Sequence, residues 1–140
     1  MMTTAGTLLS AAVTVLTVFL GLYTMMLVGR MRSRHAVQAP AMTGAPEFER
    51  AFRVQMNTLE QVVLFLPVLW LATVYPVLSG YLAPGLGLIW LVGRILYASG
   101  YMAAAAKRSS GFLIAGVALL GLLLLSIVGI VHAWLITRPA

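Results

Sequence analysis

The sequence predicts an all-α membrane protein, a single bundle of four transmembrane helices, from three observations. Hydrophobic residues make up 61% of the 140 positions and charged residues 9%. With a mean hydropathy of +1.01, this lies well outside the usage of water-soluble domains. Apolar runs long enough to cross a hydrocarbon core of about 30 Å recur four times. The basic residues also gather in alternate connections, as they do when each connection lies on a defined side of a membrane.

The spans fall at residues 6–29, 48–77, 82–106 and 111–136, and together they make residues 1–140 one integral membrane domain. The first lacks a preceding basic region and exceeds the apolar core of a signal peptide, so a retained helix is expected. Arg30, Arg32, Arg34 and Arg50 flank the first connection, and Lys107 and Arg108 lie in the third. Residues 78–81 carry no charge, and the C-terminus has only Arg138. The first and third connections are therefore expected in the cytoplasm and both termini on the opposite side, with the net charge of +6 meeting the anionic lipid of the bilayer. No basic stripe lies on a soluble face, so nucleic acid is not an expected partner.

There are no cysteines, which excludes disulfides, thiolate metal ligands and a cysteine nucleophile. His35 and His132 fall near opposite membrane faces, so no shared metal is expected. Any thiol chemistry would have to be brought by a substrate. The first connection, RMRSRHAVQAPAMTGAPE, is turn-rich through Pro40, Gly44 and Pro46. Glu47 suits the positive end of the helix that follows, and Pro67 is expected to kink that helix. Gly100 with Ala104, and Gly129 with Ala133, have the four-residue spacing that lets helices approach closely, within one subunit or between subunits.

The stretch FERAFRVQMNTLEQ, residues 48–61, runs straight into the apolar part of the second span. At about 100° per residue, Arg50, Arg53, Asn57 and Glu60 fall within roughly 80° of one another, a narrow polar seam. On the third helix, Arg94, Tyr97, Tyr101 and, at its rim, Arg108 fall within roughly 60°. Counting depth from Phe48 and Ala106 at about 1.5 Å per residue sets Glu60 level with Arg94, Asn57 with Tyr97 and Arg53 with Tyr101. A Glu60–Arg94 pair would compensate two charges that are costly alone in a bilayer. For Arg94 a structural network is the favoured role, and for Tyr101 an interhelical hydrogen bond. The remaining excess of arginine suits a carboxylate-bearing ligand, since guanidinium binds carboxylate through a bidentate fork. Asn57 and Glu60 are placed to take an ammonium or amide of the same molecule, a zwitterion entering from the cytoplasm.

The segments PEFERAFRVQMNTLEQVVLFLPVLW and GRILYASGYMAAAAKR closely resemble helices two and three of the membrane-associated proteins of eicosanoid and glutathione metabolism, over roughly residues 30–108. The first and fourth spans match only as apolar stretches. The resemblance implies a homotrimer that binds glutathione as co-substrate between neighbouring subunits near the cytoplasmic face. In the leukotriene-C-synthase-like branch, the glutathione-contacting positions match Arg32, Arg53, Gln55, Asn57, Glu60, Tyr97 and Arg108. Arg108 matches the arginine that stabilises the thiolate, so it is the expected catalytic residue. Arg94 and Tyr101 remain as the structural polar network.

The implied reaction is attack of glutathione thiolate on a small lipophilic electrophile, or reduction of a lipid hydroperoxide. Gln61 stands where synthase-like members carry tyrosine, and Ser33 where they carry a second arginine. Arg53 is retained where the non-catalytic, lipid-binding member lacks arginine. Two other classes share features of this pattern: a non-enzymatic lipid-binding protein of the same fold, and a small proton-coupled multidrug transporter with Glu60 as its membrane carboxylate. The first helix lacks the acid such transporters use.

Overall fold

The computed structural model describes residues 4–137, so Arg138 lies outside the described residues. The chain folds into α1 (Ala5–Arg34), α2 (Pro46–Val74), α3 (Leu82–Ala103) and α4 (Ser109–Ile136), with a 3₁₀ turn, Ala105–Arg108, between the last two. No strand occurs among the described residues. All four helices are long and apolar enough to cross a membrane.

The helix ends follow local chemistry. Thr4 caps α1 by accepting from the amide of Thr7 through its side chain. The helix runs five residues past the expected end at 29. Arginine is a good helix former, and Arg32 and Arg34 sit in the last turn, where cations favour the negative end of the helix. At the start of α2, Pro46 stands in the first turn beside Glu47 and Glu49, and Glu49 Oε1 accepts from the amide of Gly44. The helix is continuous through Pro67. It ends at Val74 rather than at 77, because Pro76 disfavours helical geometry at Tyr75, which adopts φ −113 and ψ 67.

α3 stops three residues before the expected 106. Ala104 is extended at φ −162 and ψ 141, and the 3₁₀ turn leads directly into α4. Gly100 passes the Lys107 carbonyl so closely that a Cβ would collide with it. Gly100 and Ala104 therefore close this turn instead of forming a small-residue helix contact. Gly129 packs against the Tyr75 carbonyl at the end of α2, within the same chain. The tightest helix crossing is between α3 and α4. A Cβ on Gly93 would lie 2.6 Å from the Ala115 amide nitrogen, and one on Gly111 would collide with the backbone of Tyr97.

Away from the 35–45 loop, the interior is an apolar cluster of Val13, Leu20, Phe65, Leu69, Trp90, Leu91, Ala115 and Leu122. Phe65 stacks on Trp90 with centroids 3.8 Å apart, so Trp90 is an internal packing residue. Ser10 and Thr73 share a hydrogen bond of 2.8 Å, and Ser126 Oγ donates to the Val68 carbonyl at 2.9 Å. Such bonds add adhesion between membrane helices, where apolar contact alone gains little over contact with lipid. The outward faces are lined by exposed Leu, Val, Ile and Met side chains, as expected of a surface solvated by acyl chains.

Candidate functional site

α2 and α3 run antiparallel, and two side-chain bonds fix their register. Trp90 Nε1 donates to Gln61 Oε1 at 3.2 Å, and Arg94 Nη1 donates to Asn57 Oδ1 at 3.1 Å. This register differs by three residues, about 4.5 Å, from the one that sets Glu60 level with Arg94. The early end of α3 at Ala103 accounts for the displacement. The expected Glu60–Arg94 ion pair is therefore not formed. Arg94 is bound instead by Asn57 and by Thr58, whose Oγ1 accepts from Nη2 at 2.8 Å. Among the described residues, Arg34 pairs with Glu47 at 4.0 Å, and His35 Nε2 lies within hydrogen-bond distance of the same carboxylate.

Toward the 35–45 loop the helices part to leave an open cleft of about 880 Å³, inside the usual range of about 300–1,000 Å³ for small-molecule sites. Six of the residues singled out in the sequence line it: Arg53, Asn57 and Glu60 from α2, Tyr97 and Tyr101 from α3, and Arg108 from the 3₁₀ turn. The four-then-three spacing of Arg53, Asn57 and Glu60 brings these α2 side chains onto one wall, and the close crossing at Gly111 brings the start of α4 against Tyr97.

The arginines differ in how they are held. Arg108 Nη1 donates to the Tyr101 hydroxyl at 3.1 Å, and its guanidinium lies 5.1 Å from the centroid of that ring. Arg53 is exposed on the cleft wall. Arg50 faces a smaller adjoining groove with Glu49, Arg53 and Tyr101. Arg94 lies behind the wall, fully buried at 0% exposure, with its guanidinium 4.1 Å from the Tyr97 centroid. Glu60 is exposed in the cleft, where Asn57 Nδ2 reaches its Oε2 across a long 3.5 Å. Two guanidinium groups and one carboxylate thus face a common space.

Arg32 and Gln55 are not brought to this cleft. Arg32 donates to the Ala41 carbonyl at 2.8 Å and lies over Phe48. Gln55 lines a separate, mostly apolar groove between α1 and α2, with Thr17, Gly21, Thr24 and Leu59. Gln61 does not line the cleft either; its carbonyl is engaged by Trp90. Sequence reasoning missed Met56, Ser109, Phe112 and Leu113 as lining residues and Thr58 as the second anchor of Arg94. Ser109, next to Arg108 at the start of α4, had a signal in its position; the apolar lining residues had none that separates them from lipid-facing side chains.

Comparison with known proteins adds the family. The sequence matches the MAPEG family over residues 10–128. It is 49% identical over 111 residues to an uncharacterised protein of Synechocystis, covering 79% of this chain and 80% of that one. It is 40% identical over 130 residues to human microsomal glutathione S-transferase 2, covering 93% and 87%. With the leukotriene C4 synthase of Cavia porcellus it shares 39% identity over 127 residues, covering 91% and 83%.

Proposed function

The chain belongs to the MAPEG family, and from that premise we propose that it is an integral membrane glutathione transferase. It conjugates glutathione thiolate to lipophilic electrophiles and reduces lipid hydroperoxides as a second reaction of the same thiolate.

The observation that carries this reading is the charge pattern of the cleft. Glutathione has two carboxylates and one ammonium, and the cleft offers Arg53 and Arg108 against Glu60, with Asn57, Tyr97 and Tyr101 as further hydrogen-bonding groups. The guanidiniums take the carboxylates or the sulfur, and Glu60 takes the ammonium. Met56, Phe112 and Leu113 supply an apolar wall for a partner arriving from the bilayer.

Arg108 is the catalytic residue of this proposal. A guanidinium beside the sulfur favours the thiolate, which is the nucleophile. Its bond to the Tyr101 hydroxyl keeps the side chain at the cleft before the ligand arrives. In conjugation the sulfur forms a bond to the electrophilic carbon as the leaving bond breaks. In peroxide reduction one glutathione attacks the O–O bond and releases an alcohol. A second glutathione then resolves the sulfenic acid, giving the disulfide and water.

Arg32 and Gln55 lie on other faces of the chain. In a homotrimer with the site between subunits, they serve the ligand held by a neighbouring copy. The clustering of Arg30, Arg32, Arg34, Arg50, Lys107 and Arg108 in two connections supports a cytoplasmic location for this end.

The test is turnover of the detergent-purified protein with glutathione and a hydrophobic electrophile. Conjugation is expected, and Arg108→Ala lowers kcat by about 100-fold, the usual scale for one lost electrostatic contact to the reacting centre. Normal turnover in Arg108→Ala overturns the assigned role.

A further inference from the structure

Arg94 is buried completely, yet the groups that hold it are neutral: Asn57 Oδ1, Thr58 Oγ1 and the face of Tyr97. Its Nε is buried without a hydrogen-bond partner. A buried cation without a carboxylate is an expensive way to hold two helices together, since apolar side chains of similar volume often stabilise as well or better. Its geometry offers a different use. The carboxamide of asparagine has an acceptor end and a donor end, and in an open cleft it is free to turn either outward. Arginine only donates. Held by Arg94 from behind, Asn57 keeps its oxygen toward the guanidinium and its Nδ2 toward the cleft, on the side of Glu60.

We propose that Arg94 is a positioning residue that fixes the polarity of the glutathione site, by locking the Asn57 carboxamide with its donor facing the ligand. This rests on the transferase reading above and deepens it. Asn57 Nδ2 donates to a ligand carboxylate or peptide carbonyl, and Glu60, three residues on, accepts from a ligand donor. Thr58 belongs to the same device. It anchors the second arm of the guanidinium, and because its side chain faces the α1–α2 groove it does so without entering the cleft.

The experiment is a double-mutant cycle on glutathione affinity, read from glutathione-dependent thermal stability in detergent, with kcat and KM measured alongside. Arg94→Met weakens glutathione binding about tenfold and raises KM more than it lowers kcat, as expected for one lost charge-assisted arrangement. Asn57→Ala causes a similar loss. The double variant binds no more weakly than Asn57→Ala alone, because Arg94 acts through that side chain.

Asn57→Asp covers the case in which Arg94→Met fails to fold. It keeps an acceptor toward Arg94 and replaces the outward donor with oxygen. The protein stays folded while KM for glutathione rises at least tenfold, whereas a purely structural Asn57 leaves KM unchanged. Independent, multiplying losses in the cycle, or an unchanged KM in Asn57→Asp, overturn this inference alone. Failure of the folded wild-type protein to bind glutathione removes the transferase reading and this inference with it.

Discussion

The half of the bundle away from the 35–45 loop and the half beside it handle polar side chains differently. In the first, Ser10 meets Thr73, Ser126 meets the Val68 carbonyl, and Trp90 meets Gln61, all within an apolar cluster. In the second, Arg53, Glu60 and Arg108 face an open cleft, and Glu60 forms no ion pair among the described residues. The same two helices, α2 and α3, build both halves. Where interior polar groups such as Ser10, Ser126 and Trp90 are engaged by another helix, the half serves cohesion. Where charges face the cleft without an ion pair among the described residues, they are open to the ligand proposed above.

Substitutions separate the two halves. The largest effect on stability belongs to Trp90→Ala, which removes the stack on Phe65 and the bond to Gln61. A loss of about 3–5 kcal/mol is expected, read as a lowered unfolding midpoint in detergent. In the cleft, Glu60→Gln keeps the size and loses the charge. It should raise KM for glutathione about tenfold, or about 1.4 kcal/mol, with little change in the unfolding midpoint of the ligand-free protein. The smallest effect is that of Ser10→Ala. One interhelical hydroxyl bond in a membrane protein is worth about 0.6 kcal/mol on average, so the midpoint falls slightly and glutathione KM does not move. A Glu60→Gln variant that loses stability but keeps its KM would erase the distinction between the halves.

The cleft wall was legible in the sequence because helical periodicity alone places Arg53, Asn57 and Glu60 on one side of α2. The partner of Arg94 was not. Depth counted along a helix is only as good as the helix end it starts from, and the extended Ala104 ends α3 too early for an apolar count to see. A displacement of three residues moves a guanidinium from Glu60 to Asn57 and Thr58. Thr58 itself gives no signal, being one small polar residue that stands off the seam of Arg53, Asn57 and Glu60.

Phe112 and Leu113 look like any lipid-facing pair until α4 is set against α3 at Gly111. The four spans, by contrast, follow from the apolar runs, because a bilayer fixes helix length so strongly. Arg32 and Gln55 entered through resemblance and not through spacing, and in the folded chain they lie apart from the cleft.

The charged groups of the cleft, Arg53, Arg108 and Glu60, are proposed above to bind glutathione. Thermal unfolding of the detergent-purified protein at increasing glutathione tests that binding directly, because a ligand that binds only the native state stabilises it by mass action. The midpoint should rise steadily once glutathione exceeds its dissociation constant, by about 1.4 kcal/mol of stability per tenfold. The response should be blunted in Arg53→Ala. A midpoint that stays flat up to millimolar glutathione would contradict that binding.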